Sequence, residues 1–230
     1  MPEPAPYEPV PLHFERLAPE EQLRRSRAFL ETMAKRRSCR FFSQAPVERE
    51  LIVNAVRAAG TAPSGANQQP WTFVVVEDPE TKVAMRSAAE AEEQAFYDHG
   101  SATWRAALAP LGTDAVKEHI TDAPYVIVVF AQVHGVASGD EPGSSAPVKH
   151  YYVRESVGIA CGLLIASLTH AGLVALPHTP SPMGFLAPLL GRPDAERPVL
   201  LLPVGLPAAG ATVPKHALWK KKPEEILVWR

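Results

Sequence analysis

One strongly basic cluster in the sequence is "KRRSCRFF", where Arg36, Arg37 and Arg40 flank Ser38 directly after a helical stretch. Guanidinium forks beside a hydroxyl suit a phosphate, because each arginine can give two charge-assisted hydrogen bonds to its oxygens. Three cations at a helix C-terminus also complement the helix dipole, and the residues alone leave both readings open. A second stretch, "PSGANQQPWTF" from Pro63 to Phe73, is an uncharged loop that runs into an aromatic and β-branched strand. Pro63, Ser64 and Gly65 favour a tight turn with exposed amides, and Asn67, Gln68 and Gln69 add uncharged donors and acceptors. Such a loop suits a planar polar ligand, but equally an ordinary surface turn.

Other chemistries lose support. No Walker loop, G-x-G-x-x-G, G-x-S-x-G or H-E-x-x-H occurs, which argues against P-loop, Rossmann, α/β-hydrolase and zincin function. His134, His150, His170 and His178 lack metal-ligand spacing, so no metal is expected. Cys39 and Cys161 are too few for a disulfide scaffold, and a reducing cytoplasm is the expected location. A net charge of −2 gives no overall basic field for nucleic acid or an anionic membrane.

The elements that must position these residues follow from periodicity. With 46% hydrophobic and 21% charged residues over 230 positions, the chain can bury one substantial core. The proline-rich, acidic residues 1–18 read as an extended arm without signal-peptide character, and 19–230 as a single domain. Apolar spacing predicts helices from Pro19 to about Lys35, Val47 to Ala59 and Tyr151 to Ala171. Asp78 as N-cap and Pro79 at the first helical position start another, running to about Tyr97. Strands are expected at Trp71–Val76, Pro124–Val133, Leu173–Leu176 and Val199–Val204, with a helical piece around Met183–Leu190. The stretch from Tyr97 to Thr121 reads as a mobile cover, and residues 134–150 as a loop with a flexible tip near 139–145.

Ser156 to Phe185 carries no charge and contains a Gly158-x-x-x-Gly162 pair, but Gly172, Pro177 and Pro180 interrupt it. A buried helix is expected there rather than a span. The C-terminal "EEILVWR" reads as a β-prone piece without a partner strand nearby, suited to packing on another subunit. The whole is an α+β arrangement with one sheet covered by helices.

"RRSCRFF" followed by "AAGTAPSGANQQPWTFVVVEDPE" resembles the flavin-binding signature of the nitroreductase superfamily. "TDAPYVIVVFAQVHG", "HYYVRESVGIACGLL" and "GRPDAERPVLLLPVGLPAAGATVP" make the chain look like the iodotyrosine deiodinases within it. The resemblance covers roughly Arg36 to Val228, without the membrane anchor of the family's vertebrate members. It implies a nitroreductase-like fold, a central mixed sheet covered by helices, and a domain-swapped homodimer with FMN in the subunit interface. The segment of about 207–230 would wrap the partner.

By that resemblance Arg36, Arg37, Ser38 and Arg40 contact the FMN phosphate and pyrimidine, Pro63, Ser64 and Gly65 wall the flavin, and Lys221 stands where the family has a phosphate-binding arginine. That last exchange keeps the charge but loses the fork. Ala66 matches the residue whose backbone amide meets the substrate phenolate. Glu93 and Tyr97, four apart on one helix face, and Lys117 match the family's lid trio, within a lid of about 90–121. Their chemistry suits an amino-acid zwitterion: carboxylate for ammonium, lysine for carboxylate, phenol for either. Thr179 matches the hydroxyl near flavin N5 that supports electron transfer. Pro177 and His178 stand beside the flavin where relatives carry threonines.

The expected activity is reductive dehalogenation of 3-iodotyrosine and 3,5-diiodotyrosine, with bromo- and chlorotyrosine as further substrates and NADPH or a reductase as electron donor. Two other readings remain: a general NAD(P)H-dependent nitroreductase or quinone reductase, and a flavin-binding protein without turnover.

Overall fold

A computed structural model of the chain describes residues 7–99, 101, 103, 106, 108–136 and 147–230. Two compact units divide it, Met1–Lys35 and Arg36–Arg230. The first unit contains α1 (Pro19–Lys35), with Glu20 and Glu21 in its first turn and Lys35 in its last, as the helix dipole favours.

The second unit is built on a four-stranded sheet. Its strands are β1 (Trp71–Val76), β2 (Tyr125–Gln132), β5 (Val174–Ala175) and β6 (Glu196–Gly205), in the spatial order β1-β2-β6-β5. Every ladder in this sheet is antiparallel. Among the described residues, parallel pairing is limited to the isolated bridge Ser38–Ala175, so the expected mixed sheet is an antiparallel one. The physical reason lies in the connections: β1 reaches β2 through a helical excursion that returns the chain in the opposite sense, and β6 pairs with strands on both sides in that same sense.

Successive side chains of a strand point to opposite faces, and β2 buries both. Tyr125, Ile127 and Val129 join Leu200, Leu202 and Val204 of β6 against α2 (Arg49–Gly60) and α5 (Val153–His170). Val126, Val128 and Phe130 join Leu201 against Met85 and Ala89 of α3 (Pro79–His99), Ile120 of α4 (Glu118–Asp122) and Leu186 of α6 (Leu186–Leu189). Each fully buried aliphatic or aromatic side chain of this kind stabilises the fold by about 1.5–3 kcal/mol. The sheet is thus the rigid middle of three layers.

Local signals place most boundaries. Asp78 caps α3, its Oδ2 accepting from the Thr81 amide at 2.7 Å. Gly172, at φ +80°, closes α5 with the Leu173 amide bonded back to the Leu168 carbonyl, a left-handed stop that glycine adopts without steric cost. Two expectations are revised. Residues 134–150 contain a hairpin, β3 (His134–Val136) with β4 (Pro147–Lys149), whose tip lies outside the described residues. The C-terminal piece starts as a helical turn, α7 (Pro223–Ile226), because Pro223 opens it and the Lys222 amide donates to Glu225 at 2.8 Å. No described helix is long and apolar enough to cross a membrane.

Candidate active site

Three segments converge on a cavity of about 330 Å³ beside the end of the sheet. The first is α3, whose Lys82, Arg86, Glu90, Glu93 and Tyr97 fall at spacings of three and four and so share a face. That face anchors the segment 113–123. The buried Lys82 ammonium donates to the Ala123 carbonyl at 2.8 Å, and Arg86 pairs with Glu90 at 2.7 Å and reaches Thr121 Oγ1 at 3.1 Å. Glu90 Oε1 in turn accepts the Lys117 amide at 2.7 Å, which fixes where the Lys117 side chain begins.

The second segment carries Lys117 itself. Its ammonium is 2.5 Å from Glu93 Oε2, with the two side chains only 6% and 12% exposed. It also donates to the Asp114 carbonyl and stands 5.8 Å from the centre of the Tyr97 ring. Burial pushes the Tyr97 phenol above its usual range. Burial would also raise the Glu93 carboxyl, but hydrogen bonds from His178 and Lys117 outweigh it and hold the group below the ordinary range.

The third segment, Leu176–Thr179, runs on from β5 along β6. His178 exchanges both backbone hydrogen bonds with Leu201 at 2.9 Å, so its side chain stands on the sheet framework. His178 Nε2 donates to Glu93 Oε1 at 2.8 Å, and His178 Nδ1 is 3.3 Å from His119 Nε2. The two imidazoles meet edge to face at 5.0 Å between centroids. Burial, aided by the charges of Lys117 and Arg40, lowers the His119 pKa to about 3 and keeps that ring neutral. No group of His, Cys, Asp or Glu among the described residues is arranged to hold a metal, these included.

The arginine cluster reaches the same place. Ser38 bridges Ala175, the Cys39 amide bonds the Ala175 carbonyl at 3.3 Å, and Arg40 lines the cavity with Pro177, His178 and Thr179. Arg36 and Arg40 are half-buried and form no ion pair among the described residues, which leaves their donors for an anion.

The remaining expected cofactor residues lie elsewhere. Pro63, Ser64 and Gly65, and Ala66 expected to bind substrate, do not line this cavity; Gly65 sits against Tyr151 and Tyr152. Gln68 clips the loop there, donating to the Lys149 carbonyl at 3.1 Å and accepting the Tyr151 amide at 2.8 Å. At Gly65 an added Cβ would stand 2.7 Å from the Tyr151 carbonyl oxygen, so only glycine fits. Ala66, Asn67 and Gln69 all take positive φ near 50°, strain of the kind concentrated at binding sites. Lys221 lies on the exposed C-terminal extension.

His119 escaped the sequence reading, because its only signal is spatial: 59 positions separate it from His178. The bond between His178 and Glu93 was equally invisible, spanning 85 positions.

Residues 33–206 match the Nitroreductase family. The chain is 49% identical over 206 residues to an iodotyrosine deiodinase from Haliscomenobacter hydrossis, covering 89% of this chain and 90% of that one. It is 44% identical over 224 residues to iodotyrosine deiodinase 1 from Homo sapiens, covering 96% of this chain and 75% of the human one. A crystal structure of oxidized iodotyrosine deiodinase bound to FMN and 3-iodo-L-tyrosine superposes with a TM-score of 0.71 at 29% identity, over 88% of this chain and 97% of that one. A nitroreductase-like protein from Streptococcus mutans shares the fold at a TM-score of 0.63 and 17% identity, over 90% and 99% of the two chains. With the matched span running through the arginine cluster, the strained loop, α3 and the cavity-lining segment Leu176–Thr179, the chain belongs to the nitroreductase family and, within it, to the iodotyrosine deiodinases.

Proposed function

We propose that the protein is an FMN-dependent reductive dehalogenase that converts 3-iodotyrosine and 3,5-diiodotyrosine to tyrosine and iodide, and also accepts bromo- and chlorotyrosine. The observation that carries this reading is the buried Glu93–Lys117 pair with Tyr97, set in one cavity with Arg40 and Thr179. A buried pair of opposite charges is complementary to a zwitterion, whose ammonium and carboxylate need partners of opposite sign once water is excluded. A general nitroreductase acting on uncharged aromatics has no use for it.

The residues present fit FMN. Arg36, Arg37, Ser38 and Arg40, with Lys221, supply cationic and hydroxyl donors for its phosphate and pyrimidine. Pro63, Ser64 and Gly65 would offer it an uncharged wall, and Pro177, His178 and Thr179 would present a second edge, with the Thr179 hydroxyl as a donor there. When bound and reduced, FMN supplies the two electrons that, with one proton, replace the carbon–iodine bond by carbon–hydrogen and release iodide. The protein's part is to hold the zwitterion through Glu93, Lys117 and Tyr97, to receive the phenolate at the Ala66 amide, and to exclude water. NADPH or a partner reductase restores the reduced flavin.

The two groups of cofactor residues lie in separate parts of one chain, which supports a homodimer in which each flavin is held by both subunits. Trp219, Ile226, Val228 and Trp229 on the C-terminal extension and Ile159 and Leu163 on α5 are exposed, an apolar surface suited to a second copy. Cys39 and Cys161 are free and buried, in keeping with a cytoplasmic setting.

The test is titration of the FMN-loaded protein with 3-iodotyrosine, followed by flavin fluorescence, then reduction with dithionite and quantification of iodide and tyrosine. Quenching with stoichiometric iodide release is expected. Absence of both, with rapid NADPH-driven reduction of a nitroaromatic, would replace this reading by that of a general flavin reductase.

A further inference from the structure

We propose that His178 is a specificity-determining positioning residue, which holds the Glu93 carboxylate in the orientation that receives a substrate ammonium group and registers it against the sheet. The inference deepens the halotyrosine reading and rests on it.

The argument starts from which parts of the site are rigid. Glu93 stands on α3 and Lys117 enters from the segment before α4, whereas His178 is bound on both sides of its peptide to Leu201 of the central strand β6. His178 is therefore the group that ties the carboxylate to the sheet. A carboxylate can only accept, so His178 Nε2 carries the hydrogen of the 2.8 Å bond. Its Nδ1 stands 3.3 Å from His119 Nε2, so His119, His178 and Glu93 form one continuous row.

The groups facing this row are Lys117, which pairs with Glu93 Oε2, the Asp114 carbonyl, Tyr97 and Arg40. With His178 on Oε1 and Lys117 on Oε2, each oxygen keeps a lone pair for an incoming ammonium group. Without His178, Oε1 is free to turn towards Lys117 as a second acceptor, and the carboxylate loses the orientation that faces the cavity.

The experiment uses the FMN-saturated protein and two ligands, 3-iodotyrosine and its des-amino analogue 3-(3-iodo-4-hydroxyphenyl)propanoic acid, with dissociation constants read from flavin fluorescence. His178→Ala is expected to weaken 3-iodotyrosine about 10- to 100-fold, the range of one charge-assisted hydrogen bond, and the analogue less than about 3-fold. His178→Gln, whose amide reaches Glu93 from the same side, is expected to restore 3-iodotyrosine binding. Should His178→Ala fail to hold flavin, His178→Asn, whose amide stops short of Glu93, takes its place in the comparison. Equal losses for both ligands, unchanged 3-iodotyrosine binding, or no rescue by glutamine would overturn the inference while leaving the dehalogenase reading intact. A wild-type protein that binds neither ligand would remove both.

Discussion

Lys117 and Glu93 form an ion pair of 2.5 Å in which neither side chain is more than 12% exposed. Two charges taken this far out of water depend on each other, because removing one leaves the other desolvated and uncompensated.

Lys117→Ala is accordingly expected to be costly in binding. A zwitterion that lost its carboxylate partner should bind at least about 100-fold more weakly, about 2.8 kcal/mol at 1.4 kcal/mol per decade. Flavin retention should persist. Isothermal titration with 3-iodotyrosine checks the first, and the flavin-to-protein absorbance ratio the second.

Acid stability follows from His119. Its ring stays neutral in the fold down to about pH 3, while the unfolded chain takes up the proton near 6.5. Between those values the unfolded state binds more protons, so stability falls as the pH drops through that window, by on the order of 5 kcal/mol at its lower end. Glu93 adds to the loss below the ordinary 4.5, since its lowered pKa contributes stability that is present above 4.5 and disappears as the pH falls through the lowered value. Urea unfolding at a series of pH values should therefore show a steeper decline between pH 6.5 and 4.5 for the wild type than for His119→Gln, which keeps the donor but does not titrate.

The loop at 63–69 is tested by Gly65→Ala. The new Cβ would meet the Tyr151 backbone oxygen at 2.7 Å, an overlap that only a backbone shift relieves, at about 1–3 kcal/mol. A fall in Tm of roughly 3–10 °C is expected for a chain of this size, with weakened flavin binding. Gly60→Ala is the control, since nothing stands within 4 Å of its added Cβ. A Tm for Gly65→Ala equal to that of the control would mean the loop is not seated as described.

The proposed sharing of each flavin between two subunits predicts a subunit dependence. A chain ending before Trp219 lacks Lys221 and the exposed apolar tail, and is expected to run as a monomer with most of its FMN lost. Light scattering with flavin absorbance measures both, and a truncated chain that remained a flavin-loaded dimer would exclude the tail from the interface.

Thr179 lines the cavity beside Arg40. Thr179→Ala should slow iodide release about 10-fold or more, in the range of other positioned hydrogen-bond donors. 3-Iodotyrosine affinity should stay nearly unchanged. Single-turnover release from the dithionite-reduced protein separates the two effects.

What the sequence by itself determined is what local chemistry encodes. Trp71–Val76 is a strand because aromatic and β-branched residues crowd it, and α3 begins at Pro79 because Asp78 caps it. The arginines at 36–40 left an anion site and a helix-dipole complement both open, and family resemblance selected between them and selected Glu93, Tyr97 and Lys117 as partners. Tertiary structure alone decided what joins them. The sheet register sets His178 opposite Leu201 and delivers its ring to Glu93, and the packing of α3 on 113–123 brings His119 behind it. It also decided that the sheet is antiparallel and that the tail opens with a helical turn rather than a strand. Hydrogen bonds across 59 and 85 positions have no local signature, because the chain meets itself there only after the core has closed.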